Sequence, residues 1–284
     1  MSGLLEDRTR RRLGIQAAPP SGRGTASGRA SGKAGHTDIR ALLGTIENEV
    51  IPRLLLTHTI AAHCARRVSL SDVESLSGLA IDGDATTAVS VIERMQAEGL
   101  GFEAVYMDLL GGTARLLGEM WEQDRISFVD VTVGLCTLHQ IMFHLGTEDE
   151  APAEAIAGHA LFSPLPGETH VFGSLIVAKF FARAGWRTWT ELSTTEDTLC
   201  ERLAETPFDL VGLSIYVDRD LDRLPGVIQR LRRHAGRAGT RILVGGGAID
   251  RNPGVAEQAG ADGTAPDPAG AIALAERLCR STSR

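Results

Sequence analysis

The stretch Gly167-Glu168-Thr169-His170-Val171-Phe172-Gly173 joins a short apolar run, Ala160 to Phe162, to an amphipathic segment that begins near Val171. Taken as the turn between a strand and a helix, it sets a histidine on a glycine-framed loop, where side chains commonly meet ligands. A neutral imidazole binds transition metals, and a carboxylate two residues earlier can accept its other ring proton, fixing the tautomer and raising its basicity. Glu168 stands at that position. Glycines also serve plain turns, because they adopt backbone angles closed to other residues, so the loop alone marks a candidate metal site and no more.

Working outward, the pattern around this loop alternates. Candidate strands are His159 to Ser163, Trp186 to Leu192, Leu210 to Ser214 and Arg241 to Gly245, separated by helical stretches from Val171 to Ala184, Thr195 to Ala204 and Leu221 to Ala235. A short fifth strand near Gly263 and a final helix from Pro268 to Cys279 complete the set. Strands alternating with helices predict a doubly wound parallel sheet of the Rossmann-like kind, with right-handed crossovers. Such sheets bind ligands beyond the carboxyl ends of their strands. Gly167 to Gly173 follows the first strand, Ser214-Ile215-Tyr216 ends the third, and Gly245-Gly246-Gly247 ends the fourth. Three consecutive glycines clear side chains from a place where a ligand lies against backbone, and the Ser214 hydroxyl offers a hydrogen bond beside it. The plainer readings are a tight turn and a strand-end hydroxyl. The glycines fit neither a P-loop nor a dinucleotide fingerprint, since GKS/T and GxGxxG are both absent.

Ahead of the alternation the spacing is helical. Ile39, Leu42, Leu43, Ile46, Val50 and Leu54 predict a first helix from about Asp38, kinked or restarted at Pro52. Asp84 to Glu98 is the second, with Val89, Ile92 and Met95 as its stripe and Gly99 as its stop. The third runs from Phe102 to Met120. Ser127 and Asp130 form a capping box for a fourth that includes Val133, Cys136 and Phe143 and stops at Gly146. The expectation is a disordered tail over 1–36, a four-helix bundle over 37–147, an acidic proline-containing linker over 148–157 and the α/β domain over 158–284. Bundle packing accounts for these stripes without a ligand.

With 284 residues and 43% hydrophobic composition the chain can bury a large core in two domains. No apolar run approaches the roughly 20 residues of a membrane span, and the charged N-terminus is unlike a secretory signal, so a cytoplasmic protein without membrane contact is expected. Cys64, Cys136, Cys200 and Cys279 are too widely spaced for a CxxC pair or a zinc cluster. Residues 1–35 hold seven basic side chains against Glu6 and Asp7, a formal +5, so the rest of the chain carries −12 of the total −7. A Gly-, Ser- and Arg-rich tail of this kind reads as disordered, serving either as an electrostatic arm or as a solubilising extension. The acidic body argues against sequence-specific DNA binding by the folded part, leaving DNA contact indirect or through the tail. No nucleophile–base pair or paired carboxylate stands out, which argues against an enzyme.

Together these residues resemble the cobalamin-binding fold shared by methionine synthase, corrinoid proteins and cobalamin photoreceptors. That family carries Asp-x-His-x-x-Gly after strand one, Ser-x-Leu after strand three and Gly-Gly after strand four; here Glu168 and Tyr216 replace the aspartate and the leucine. The resemblance implies that His170 takes the place of the cofactor's own benzimidazole as lower cobalt ligand. Ser214 and the glycines would then admit the displaced nucleotide tail into a channel, with Gly167, Glu168, Thr169, Gly173, Tyr216, Gly245, Gly246 and Gly247 around it. Leu117-Gly118-Glu119-Met120-Trp121 followed by Arg125-Ile126-Ser127 resembles the bundle segment that caps the corrin, which implies Trp121 as upper-face contact. The best-known photoreceptors place Glu-His ten residues after that tryptophan, where this chain has Val131-Thr132.

A narrower resemblance is to the PpaA/AerR-type regulators of purple photosynthetic bacteria. It rests on Ile46-Glu47-Asn48-Glu49-Val50-Ile51-Pro52-Arg53-Leu54-Leu55-Leu56, on Ser214 to Arg219 and on the modified histidine motif. It implies a cobalamin-dependent light or redox sensor, holding adenosylcobalamin or hydroxocobalamin, that regulates transcription as an antirepressor by binding a PpsR/CrtJ-type repressor. A haem-binding redox sensor on the same fold and a corrinoid methyl carrier of a methyltransferase system are the other expectations.

Overall fold

The computed structural model describes residues 66–146, 157–192, 195–236 and 239–280. The expected tail, the helix from Asp38, the Ile46–Leu56 segment and all of the expected linker except Ala157 lie outside these residues.

A helical layer comes first: α1 (Leu70–Ile81), α2 (Ala85–Ala97), a π-helical segment Ala104–Leu110 running directly into α3 (Gly111–Glu122), and α4 (Phe128–Leu145). Local chemistry sets the helix starts. Ser69 with Asp72 and Ser127 with Asp130 form capping boxes, and the Asp84 carboxylate accepts from the Thr87 backbone N–H. The core of this layer is Leu76, Ile92, Val105, Leu109, Leu117, Leu138 and Ile141. Helix α1 was not among the expected helices, although Ser69-x-x-Asp72 followed by Val73, Leu76 and Ala80 is a complete start-and-stripe signature.

Two corrections concern α4. Its buried stripe is Val131, Gly134, Leu138, Ile141 and Met142, whereas Val133, Cys136 and Phe143, the apolar residues named for this helix from the sequence, stand on the exposed face, Phe143 at 73%. The helix is apolar on both faces, so composition gave no phase. For the same reason its 18 residues are, by length and composition alone, apolar enough to cross a membrane. Here its buried side packs against α1, α2 and α3.

The α/β half is a four-stranded, wholly parallel sheet in the order β2-β1-β3-β4, from β1 (Gly158–Pro164), β2 (Trp186–Thr190), β3 (Leu210–Ser214) and β4 (Arg241–Gly245). Between and after them run α5 (Phe172–Arg183), α6 (Glu196–Glu205), α7 (Leu224–His234), α8 (Gly247–Arg251), α9 (Val255–Gln258) and α10 (Pro268–Arg280). The expected fifth strand is reduced to a single bridge between Leu243 and Gly263, and the expected Leu221 helix starts with a 3-10 turn over Asp218–Arg223. Alternate strand residues divide between two cores. Ala160, Phe162, Leu210 and Leu243 face α5 and α10, while Leu161, Val211, Ile242 and Val244 face α6 and α7. The fold is therefore a Rossmann-like three-layer sandwich behind a helical layer.

The two halves share a core through α5. Ile176 and Phe180 belong to the bundle's apolar cluster, and Phe102 packs edge-on to Phe180 with ring centroids 4.9 Å apart. Helix α5 is also the helix entered from the His170 loop.

Candidate functional site

From β1 the chain moves to β2 on one side, and from β3 to β4 on the other. The order reverses between β1 and β3, where a parallel sheet opens a crevice beyond its carboxyl ends. Register brings the relevant ends level: Pro164 pairs with Ser214, and Ser214 with Gly245. All three sequence motifs thus converge at the switch point.

The histidine loop is formed by a specific turn. Leu165-Pro166-Gly167-Glu168 closes with the Glu168 N–H donating to the Leu165 carbonyl at 2.8 Å. Proline presets its own φ, and Gly167 adopts φ +88, the pairing that a type II turn requires. The turn directs Glu168 inward, leaving its side chain 2% exposed. One carboxylate oxygen accepts from His170 Nδ1 at 2.5 Å and from the Thr169 and His170 backbone N–H groups; the other accepts from the N–H groups of Tyr216 and Val217, both at 3.2 Å. Burial pushes the Glu168 pKa up. The hydrogen bonds from His170, Tyr216 and Val217 outweigh it and hold the carboxyl below its ordinary value.

That ionised carboxylate fixes the imidazole as the Nδ1–H tautomer, so the Nε2 lone pair faces away from it. The His170 side chain is half exposed, with its ring stacked on Tyr216 at 4.3 Å between centroids. Tyr216 is held in turn by Arg251, whose guanidinium lies 5.7 Å from the Tyr216 ring and donates to the Tyr216 carbonyl and to Asp218.

Gly246 is required by close approach. It has φ +98, and a Cβ there would lie 2.5 Å from the Ile215 carbonyl oxygen. Gly173 and Gly245, by contrast, face open space. They border a cavity of about 270 Å³ that enters the layer between the sheet and α5 and α10, with Phe162, Phe181 and Leu243 among its lining. The volume is near the lower end of small-molecule sites.

Of the expected residues, Gly173, Ser214, Gly245 and Gly246 line this cavity, Gly167, Glu168, Thr169, His170 and Tyr216 lie on the loops beyond the strand ends, and Gly247 opens α8. Trp121 is on neither. It sits at the end of α3, 48% exposed, edge-on to Phe128 at 6.4 Å. His139 packs against Phe172 with its Nε2 buried, and burial lowers its pKa.

Sequence reading missed five contributing residues. Ser174 bonds Ser214, Arg251 braces Tyr216, and the bundle residues Met107, Gly111 and Arg115 line the cavity. Only Ser174 carried a signal, as the hydroxyl next to Gly173.

Among the described residues no three His, Cys, Asp or Glu side chains gather as a metal site. An imidazole held through Nδ1 by a carboxylate, beside a slot bordered by glycines, offers a single nitrogen donor and so fits a metal that brings its other donors with it, as a corrinoid does.

A doubly wound α/β domain with a ligand crevice at its switch point, joined through one helix to a helical bundle, is the class that fold and site define. Residues 158–273 match the model of the family described as the B12 binding domain, which supports cobalamin as a ligand class for the α/β half. A curated relative, the "Uncharacterized 20.5 kDa protein in bchF-crtJ intergenic region" of Rhodobacter capsulatus, is 24% identical over 174 residues, 61% of this chain and 90% of that protein. Among solved structures, the monomethylamine corrinoid protein of Methanosarcina barkeri aligns with a TM-score of 0.60 at 18% identity, covering 72% of this chain and 96% of that one. This last likeness is one of fold.

Proposed function

We propose that the protein is a cobalamin-dependent regulatory sensor that works without turnover, with His170 as lower cobalt ligand. The observation that carries the reading is the Glu168–His170 pair, which sets one imidazole nitrogen against a buried carboxylate and leaves the other free. When bound, the corrinoid supplies a cobalt whose upper ligand is open to light- or redox-driven exchange. The chain's own residues do the rest. Glu168 holds the tautomer, Tyr216 and Arg251 hold the ring plane, and Gly173, Gly245 and Gly246 keep the slot for the nucleotide tail free of side chains. Trp121 and Phe128 offer the apolar contact for the upper face. The shared core at α5 is the route by which a change in bundle packing would reach a partner surface.

The proposed partner is a PpsR/CrtJ-type repressor, in an antirepressor role, with DNA contact indirect or through the basic tail and with the cytoplasm as compartment. Support for this finer part is the location of the Rhodobacter relative in the bchF-crtJ intergenic region. The test is a set of absorption spectra of the purified protein with adenosylcobalamin and hydroxocobalamin, in the dark and after illumination, repeated with His170→Ala. A bound-corrin spectrum that loses its histidine-ligated form in the variant is expected. A Soret band, or an unchanged spectrum in His170→Ala, refutes the assignment. Capture of the repressor in one ligand state and not the other tests the regulatory part.

A further inference from the structure

Gly167 divides the histidine loop into two parts, and both parts are held by one segment, Tyr216 to Arg223. Beyond Gly167, the Glu168 carboxylate accepts from the Tyr216 and Val217 N–H groups. Ahead of it, the Arg223 guanidinium donates to the Pro166 carbonyl at 2.9 Å, across 57 residues of chain. Pro166 is buried, and among the described residues no backbone N–H donates to that carbonyl. Arg223 closes the 3-10 turn Asp218–Arg223, and its side chain is half exposed, so ordering it costs rotamer entropy. Two carboxylates limit that freedom: Asp220 lies 3.5 Å from Nη1, and Glu196, the first residue of α6, lies 3.5 Å from Nη2. Arg230 holds Glu196 in turn at 3.3 Å.

The position of this bond within the turn gives it conformational weight. Proline at the first corner suits type I and type II turns alike, and glycine takes φ of either sign. The two types differ by a flip of the Pro166–Gly167 peptide, which reverses the direction of the Pro166 carbonyl. The form present, with Gly167 at φ +88, is the one that turns this carbonyl toward Arg223.

We propose that Arg223 is a positioning residue for His170: by holding the Pro166 carbonyl it suppresses the flip at Gly167 and presents the imidazole to a bound metal in one orientation. The inference rests on the cobalamin reading above, in which that metal is the corrinoid cobalt. Without Arg223 the loop keeps its inner anchor at Glu168 but pivots about Gly167, and His170 Nε2 spends part of its time out of reach of the cobalt. Arg223 acts through the turn and not on the ligand itself.

The experiment compares the full chain with Arg223→Ala, Arg223→Lys and Glu196→Gln by two readouts. Backbone NMR relaxation follows the unliganded proteins. Electron paramagnetic resonance follows bound cobalamin in its cobalt(II) form, where a nitrogen splitting that changes when the histidines carry heavy nitrogen identifies imidazole ligation. Arg223→Ala should lower the ratio of histidine-ligated to unligated cobalt by roughly five-fold. It should also raise mobility at Gly167 and Thr169 while Leu213 and Val244 within the sheet stay as they are. Arg223→Lys, which keeps a donor but loses the planar fork, should recover part of the ratio. Glu196→Gln should shift it the same way by about two-fold or less, as befits an exposed ion pair. An unchanged ratio in Arg223→Ala, no recovery in Arg223→Lys, or mobility that rises evenly over the α/β half overturns the inference while leaving the cofactor reading intact. Failure of the unmodified protein to bind cobalamin, or to show the label-sensitive splitting, overturns both.

Discussion

The histidine loop and the outer face of the bundle carry the candidate residues on opposite terms. At the loop, one buried carboxylate gathers five donors from two separate chain segments, and a three-member stack of His170, Tyr216 and Arg251 continues from it. On the bundle, Trp121, Phe128, Val129 and Phe143 are large, apolar and exposed. The first region is preorganised by directional bonds and admits little variation in geometry. The second offers surface that gains energy from almost any apolar plate laid on it. On the proposed reading, the loop would choose a ligand atom and the bundle face would respond to what lies against it.

This contrast can be broken at several points. The largest effect is expected at Gly246, where alanine would combine an unfavourable positive φ with a Cβ driven into the Ile215 backbone. Gly246→Ala should lower stability by about 3 kcal/mol, read from denaturant unfolding. An unchanged midpoint would show that the strand ends are looser than they look. Glu168→Gln comes next, at about 2 kcal/mol for a charged acceptor of buried N–H groups.

The Glu168 effect should depend on pH. Because the folded pKa lies below the ordinary value of 4.5, the stabilisation is complete above about that pH and is lost as pH falls through the folded value. The acid limb of stability should therefore be shallower in Glu168→Gln than in the unmodified protein. Parallel limbs would remove the carboxylate from its organising role.

Tyr216→Leu should cost about 1 kcal/mol or less through the lost ring stack. Histidine ring resonances in NMR are the sharper readout, since His170 should gain mobility while its Glu168 bond persists. The smallest effect is expected on the bundle. Trp121→Ala or Phe128→Ser should change the stability of the unliganded protein by no more than about 0.5 kcal/mol, yet weaken corrinoid binding several-fold. A stability loss comparable with that at Gly246 would mean that these side chains are structural.

Most of the α/β half was legible in the sequence because its signals are local. Strands β1, β3 and β4 end at Pro164, Ser214 and Gly245, and the helices between the strands have clear apolar faces. The histidine loop was legible because Pro166-Gly167 and Glu168-x-His170 act over a few residues. The α4 face was not, since a helix with apolar residues all round has no phase until its neighbours are known. Nor could spacing reveal that Glu168 reaches the Tyr216 and Val217 N–H groups, a contact between loops that follow different strands. Helix α1 carries its start signal in the Ser69–Asp72 capping box, but its short stripe is weaker than the longer, more regular pattern upstream.

Glu168 and its β3-loop partners are 48 and 49 residues apart, and they meet only once β1 and β3 have paired in register. The histidine is thus tautomer-locked late in folding, after a long loop has closed and its entropy has been lost. A chain that has collapsed without completing its sheet has the imidazole but not the orientation. For newly made protein, the Glu168–His170 pair with its bonds to the Tyr216 and Val217 N–H groups is therefore a report that the sheet is finished.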